Sequence, residues 1–138
     1  MNEPETINSI LKFHTIAVVG LSPKPERPSH DVARYLQTVG YKIIPVNPGH
    51  NEILGETCYP SLDKIPEDVG TVVVFRGQEF VMPVVEMAIA IKAKSLWLQD
   101  GVYHPEAARI AEAAGLLVVM DDCIKRRHQF RPSHRKRF

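Results

Sequence analysis

Short apolar runs rich in Val and Ile alternate along this chain with longer segments whose apolar residues recur at helical spacing. Four runs are clear, at residues 15–19, 42–46, 71–75 and 116–120, and residues 95–98 form a fifth. Because these runs are almost continuously apolar, they are typical of strands covered by helices on both faces of a sheet. The alternation predicts a parallel sheet built from βα units.

The segments between the runs carry the helical pattern. Val32, Tyr35, Leu36 and Val39 fall at i, i+3, i+4 and i+7, and Gly40 follows where a helix C-cap is expected. Further helices are predicted at residues 6–13, 84–91 and 105–114, and residues 47–66 predict an irregular stretch with one helical turn at 61–64. We therefore expect an α/β fold with a doubly wound parallel five-stranded sheet, order 3-2-1-4-5, and helices on both faces.

The length and composition set limits on function. A chain of 138 residues has the size of one domain. No apolar stretch approaches the roughly 20 residues that span a bilayer, and the acidic, polar start lacks the features of a secretory signal, so we expect a cytoplasmic protein without a membrane partner. Cys58 and Cys123 lie far apart with no CxxC pattern, which indicates neither a disulfide framework nor a metal site.

Charge is distributed unevenly along the chain. Seven of the 17 Lys and Arg residues lie in residues 125–138, a segment with no Asp or Glu. We therefore divide the chain into a mildly acidic domain, residues 1–124, and a basic C-terminal tail, residues 125–138. The tail is interpreted as an extension that is solvated or docks weakly on its own domain; the alternative is contact with a nucleic acid or an acidic partner.

The loop after the first strand has the features of a phosphate site. Doubly wound sheets bind ligands beyond the carboxyl ends of their strands, here expected between the first and fourth strands. Gly20 permits a tight turn, Ser29 is predicted to cap the following helix, and free N–H groups of a first helical turn attract anions. Lys24 and Arg27 add two cations. The alternative is a surface loop stiffened by prolines, with incidental cations.

Other strand ends offer fewer signals. The first loop is neither GxGxxG nor a P-loop, and Asn47 stands where a dinucleotide site usually has an acid, which argues against NAD. Phe75 and Arg76 are suited to stacking on a base and pairing with a phosphate, or else they are a core residue and a rim charge. Gln99 is expected to face the same crevice.

No set of catalytic side chains converges in this pattern. Ser22 lacks the GxSxG context of a hydrolase nucleophile. The adjacent pair Asp121 and Asp122 is predicted to cap a following helix rather than to act as acid and base, because neighbouring side chains point in different directions.

Taken together, several short motifs resemble a known family, the small stand-alone CoA-binding proteins, which are relatives of the N-terminal CoA-binding domain of the succinyl-CoA synthetase α subunit. The resemblance extends from about residue 14 to residue 124. It is carried by Val-Val-Gly-Leu-Ser at 18–22, Arg-Pro-Ser at 27–29, Val-Gly-Tyr at 39–41, Ile-Pro-Val-Asn-Pro at 44–48, Leu-Gly at 54–55, Leu-Trp-Leu-Gln at 96–99 with Gly101, and Ala-Gly at 114–115.

The resemblance implies a Rossmann-like CoA-binding fold and assigns positions to the ligand. It implies that the phosphates contact Gly20, Ser22, Lys24, Arg27 and Ser29. It places the nucleoside near Asn47, Pro48, Phe75 and Arg76, and the pantetheine arm near Gln99. The larger synthetase carries its phosphorylated histidine on a further domain that has no counterpart in this sequence, so no ligase activity is expected.

The functional prediction is binding of coenzyme A or an acyl-CoA through the nucleotide phosphates, without catalysis. One alternative is an enzyme that acts on a CoA thioester or another nucleotide, for which Gln99, Asp100 and Cys123 are the candidate polar groups. A second alternative is a regulatory or interaction module that uses the basic tail.

Overall fold

A computed structural model of the chain describes residues 1–131. Within these residues the chain alternates strands with helices. The strands are β1 (Thr15–Val19), β2 (Lys42–Val46), β3 (Glu52–Ile53), β4 (Glu56–Thr57), β5 (Thr71–Val74), β6 (Ser95–Leu98) and β7 (Leu117–Met120). The α-helices are α1 (Pro4–Ile10), α2 (Pro28–Thr38), α3 (Val81–Ala90), α4 (Pro105–Ala113) and α5 (Ile124–Gln129), with short 3-10 helices at Leu62–Lys64 and Gln78–Phe80.

The main sheet has five parallel strands in the order β2-β1-β5-β6-β7. Val19 at the end of β1 lies opposite Val46 of β2 and Val74 of β5, and Val74 lies opposite Leu98 of β6. The strands therefore end at one level, and the loops that follow them lie along one edge of the sheet.

The doubly wound α/β fold is confirmed, but the predicted strand order is wrong. Counting only the five parallel strands, the order is 2-1-3-4-5 and not 3-2-1-4-5. All four residues of β5 are buried, and β5 pairs with β1 on one side and β6 on the other, which a position beyond β2 at the sheet edge would not allow. Right-handed crossovers permit both orders, so the sequence pattern does not separate them. The switch point lies between β1 and β5.

Helices cover both faces of the sheet, as predicted. On one face, α3 and α4 pack through residues such as Val85 and Ala108 against Ala17 and Val72. On the other face, α1, α2 and α5 pack against the alternate strand residues, including Trp97, which is fully buried. Each strand thus supplies side chains to both cores, which explains its continuous apolar sequence.

Two local predictions differ from the structure. Ser29 is not the N-cap of α2: Arg27 holds that position, Pro28 begins the helix, and the Ser29 hydroxyl accepts a hydrogen bond from the Ser22 N–H at 3.0 Å. The stretch expected to be irregular contains the hairpin of β3 and β4, whose turn residues Leu54 and Gly55 both have positive φ, the geometry of a tight type I′ hairpin.

Helix α5 crosses the boundary that the charge pattern suggested between residues 124 and 125. Its Lys125 Nζ lies 2.7 Å from Asp31 of α2, and Arg127 Nε lies 2.8 Å from Asp122. Residues 125–129 therefore pack on the body, while residues 132–138 lie outside the described residues. The division of the chain at residue 124 stays a prediction. Within residues 1–131, no helix is long and apolar enough to cross a membrane.

Gly20 at the end of β1 is predicted to be irreplaceable. Its φ is +86°, and a Cβ there would lie 2.3 Å from the Phe75 carbonyl oxygen. Gly20→Ala is expected to lower the free energy of unfolding by more than about 3 kcal/mol, because backbone strain and a backbone clash add together. The measurement is urea denaturation of the purified protein.

Gly40→Ala is the matched control. Gly40 also has a positive φ, +104°, but nothing lies within 4 Å of the added Cβ. The expected loss is about 1–2 kcal/mol, the cost of a left-handed non-glycine residue. Equal losses in the two variants would show that the Phe75 carbonyl does not exclude a Cβ at residue 20.

Candidate functional site

A cavity of about 610 Å³ lies at the carboxyl ends of β1, β5 and β6, beside the switch point. It extends to the loop between β7 and α5. Its lining residues come from the loops that follow β1, β5, β6 and β7 and from the start of α2: Gly20, Ser22, Arg27, Pro28, Ser29, Val32, Phe75, Arg76, Gly77, Gln99, Asp100, Gly101, Val102 and Cys123. We call it the main cavity.

The loop after β1 is folded by its own hydroxyl groups. The Ser29 hydroxyl accepts from the Ser22 N–H, and the Ser22 hydroxyl accepts from the Lys24 N–H at 3.1 Å. Each hydroxyl keeps its proton available as a donor, because both act here as acceptors. Arg27 lies on the same wall and forms no ion pair within residues 1–131. This wall can therefore donate several hydrogen bonds to an anion.

Arg76 separates the main cavity from a second cavity of about 230 Å³ and lines both. The second cavity lies over the ends of β1 and β2 and has a largely apolar lining that includes Pro48, Leu62 and Met87. The Arg76 guanidinium carbon lies 5.6 Å from the centre of the Phe80 ring, in a cation–π contact. An anion and a flat apolar group can thus be held side by side, with Arg76 between them.

Gln99 connects the cavity to helix α5. The residue is 3% exposed, and its Oε1 accepts the Ile124 N–H at 2.9 Å. Its Nε2 makes no hydrogen bond to any residue between 1 and 131, although the residue lines the main cavity. One end of the amide therefore positions α5, and the other end is available to a ligand.

Ion pairs hold α5 beside the cavity. Asp122 is 5% exposed, and its carboxylate accepts from Arg126 at 3.0 Å, from Arg127 at 2.8 Å and from the Cys123 N–H at 2.8 Å. Arg126 also forms a two-point contact with Asp100, at 3.0 and 3.1 Å, which raises the pKa of the arginine. Asp100 and Asp122 thus hold α5 in place. The predicted capping of this helix by Asp121 and Asp122 is wrong, because α5 has no side-chain cap: Asp122 forms ion pairs, and Asp121 Oδ1 accepts the Gly101 N–H at 2.8 Å.

Most of the ten predicted site residues come together. Seven line the main cavity: Gly20, Ser22, Arg27, Ser29, Phe75, Arg76 and Gln99. Pro48 lines the second cavity. Lys24 and Asn47 line neither; the Asn47 side chain donates to the Leu21 carbonyl at 2.8 Å and so fixes the first loop to the end of β2.

Sequence reasoning did not assign Val32, Met87 or Phe80 to a ligand surface. Val32 and Met87 carry the same apolar periodicity as core residues, so nothing in the sequence separates them from the core. Phe80 is 54% exposed. The signal available in the sequence was its position close after Arg76. No group of three or more His, Cys, Asp and Glu residues suited to a metal ion occurs within the described residues.

Comparison with known proteins gives a consistent result. Residues 14–129 match the family described as "CoA binding domain". The uncharacterized protein YneT of Bacillus subtilis is 42% identical over 113 residues, which cover 82% of this chain and 84% of that protein. The structure of a hypothetical protein from Pyrococcus horikoshii has a TM-score of 0.88 and 41% identity, and covers 92% of this chain and 90% of that one.

A larger relative has a named activity. The acetate–CoA ligase (ADP-forming) I of Archaeoglobus fulgidus is 29% identical over an alignment of 119 positions, and the match covers 79% of this chain. It covers only 17% of the ligase, so the similarity is to a domain-sized part of that protein.

The Asp122 carboxylate is predicted to be the main attachment point of α5. Asp122→Ala leaves Arg127 and the Cys123 N–H without their acceptor and removes one of the two carboxylates that pair with Arg126, so we expect a loss of about 2–3 kcal/mol in the free energy of unfolding. Asp31→Ala is the matched control, since the ion pairs of Asp31 with Lys125 and Arg34 are largely exposed, and well under 1 kcal/mol is expected. Thermal unfolding of both variants checks this; a control loss as large as the Asp122 loss would contradict it.

Proposed function

Because the chain belongs to the CoA-binding domain family that its residues 14–129 match, we propose that it binds coenzyme A or an acyl-CoA through the nucleotide phosphates. The observation that carries the proposal is the position of Arg76 between the main cavity, whose wall carries the hydroxyl and guanidinium donors, and the largely apolar second cavity. A nucleotide has the same division, since its charged phosphates are joined to a flat, largely apolar base.

The phosphates are assigned to the wall formed by the loop after β1. Ser22 and Ser29 supply hydroxyl donors, and Arg27 and Arg76 supply guanidinium groups on either side. Hydrogen bonds between guanidinium groups and phosphate oxygens are charge-assisted and frequently bidentate. This wall lies at the switch point, where doubly wound sheets bind their ligands.

The base is assigned to the second cavity. Pro48 and Met87 offer apolar contact, and the Phe80 ring lies at the border beside Arg76. NAD is disfavoured, because the residue after β2 is the neutral Asn47, where dinucleotide sites usually have an acid that accepts hydrogen bonds from the ribose hydroxyl groups.

Binding without catalysis is part of the proposal. Two polar groups near the far end of the main cavity, the Asp100 carboxylate and the Gln99 oxygen, are engaged in holding α5. Asp100 is paired with Arg126, and the Gln99 oxygen accepts from the Ile124 N–H. A general acid or base needs a proton position that is free to exchange with the substrate, and these contacts occupy it.

Calorimetric titration at fixed salt with CoA, acetyl-CoA, NAD and ATP tests the ligand class. We expect micromolar binding of CoA and acetyl-CoA and little binding of NAD. Equal binding of ATP and CoA would show that recognition stops at the nucleotide. Failure of every ligand to bind would overturn the proposed function.

Arg76→Ala and Arg27→Ala are each expected to weaken CoA binding by about 10- to 100-fold, the range that corresponds to the loss of a hydrogen bond to a charged group. Lys24→Ala is expected to have a smaller effect, because Lys24 lines neither cavity. Arg109→Ala is the matched control, since Arg109 is an exposed cation on α4 outside both cavities. Unchanged affinity in Arg76→Ala would move the phosphate site elsewhere.

A further inference from the structure

The thiol of Cys123 belongs to the wall of the main cavity. Cys123 follows β7, directly precedes α5 and is partly buried. The phosphate wall is at the other end of the same cavity, on the loop after β1. Three strand spacings separate β1 from β7, which is about 14 Å at about 4.8 Å per spacing. CoA likewise carries its phosphates and its thiol at opposite ends of an extended molecule.

Gln99 independently points to an amide-bearing ligand in this part of the cavity. It follows β6, between the phosphate wall and Cys123, and is 3% exposed with an Nε2 that has no partner within residues 1–131. Because the Gln99 oxygen is already bonded to the Ile124 N–H, the amide presents its N–H donors to the cavity, where a ligand carbonyl is the matching acceptor. The pantetheine arm of CoA contains two amide groups with carbonyl oxygens, and its thiol lies beyond them.

From this arrangement, and resting on the proposed function, we propose that Cys123 is a site of reversible disulfide formation with the thiol of CoA. The Cys123 thiolate attacks one sulfur of a disulfide that contains CoA. The S–S bond of that disulfide breaks, a Cys123–CoA bond forms, and the other sulfur leaves as a thiolate that takes up a proton. No further oxidant is required, because the incoming disulfide is itself reduced.

The neighbourhood of Cys123 suits such an exchange. The Cys123 thiol makes no hydrogen bond with any of residues 1–131, so it is not committed to another contact. The cavity gives the thiol access from outside.

Cys58, the second cysteine of the chain, provides an internal control. It is buried, its thiol donates to the Asn47 carbonyl at 3.4 Å, and burial raises its pKa. Low exposure and a small thiolate fraction both slow exchange. Cys58 is therefore expected to stay unmodified.

The test is intact-mass spectrometry of the reduced full chain, incubated with CoA disulfide or with glutathione disulfide at equal concentration. We expect one CoA adduct that forms at least tenfold faster than the glutathione adduct, maps to the peptide containing Cys123 and is removed by dithiothreitol. Cys58→Ser should react at the wild-type rate, and Cys123→Ser should give no adduct. Excess desulfo-CoA, which lacks the thiol, should slow the reaction of the wild-type chain.

Titration of the fully reduced chain with CoA separates the two proposals. If CoA binds but CoA disulfide reacts no faster than glutathione disulfide, the Cys123 inference is overturned and the proposed function stands. An adduct mapped to Cys58 overturns the inference as well. If reduced protein binds no CoA, the proposed function fails, whichever thiol reacts. Peptide mapping on the wild-type chain keeps the test valid if a cysteine variant does not fold.

Discussion

The in-register hydrogen bonding of the parallel strands is the constraint on which the site depends. The ladder continues past the strand ends, by one residue at Phe75 and Gln99 and by two at Asp122. Each of these residues donates its N–H to the carbonyl of the last residue of the neighbouring strand, at 2.9, 3.3 and 3.3 Å. These residues therefore have fixed backbone positions, although each lies in a loop. A cavity lined from such positions is largely formed before a ligand arrives, which lowers the ordering cost of binding.

Helix α5 closes the far end of the cavity and depends on two buried polar groups. The Gln99 oxygen holds the N–H of Ile124, and the Asp122 carboxylate holds Arg126 and Arg127. The Asp122 carbonyl also accepts from the Trp97 indole at 2.9 Å, inside the core. Structural and ligand-facing roles thus meet in adjacent residues, so a change that loosens α5 also reshapes the wall containing Cys123.

The sequence predicted the strands and helices better than it predicted which of them lie side by side. Strands buried on both faces leave a clear apolar pattern, whereas the choice of β1 or β2 as the partner of β5 depends on how the segment between β2 and β5 crosses the sheet. The same limit applies to the site. Gly20 and Arg76 stood at strand ends and were identifiable, but the bond of Asn47 to Leu21 is a contact between two loops that no local pattern encodes.

The charges around the cavity determine which way a ligand with a charged end and a thiol end would lie. At the β7 end, Arg126 and Arg127 are paired with Asp100 and Asp122, so their charge is already balanced. At the β1 end, Arg27 and Arg76 form no ion pair with any described residue. Phosphates are therefore attracted to the β1 end, and the neutral arm of the same molecule is left to extend past Gln99.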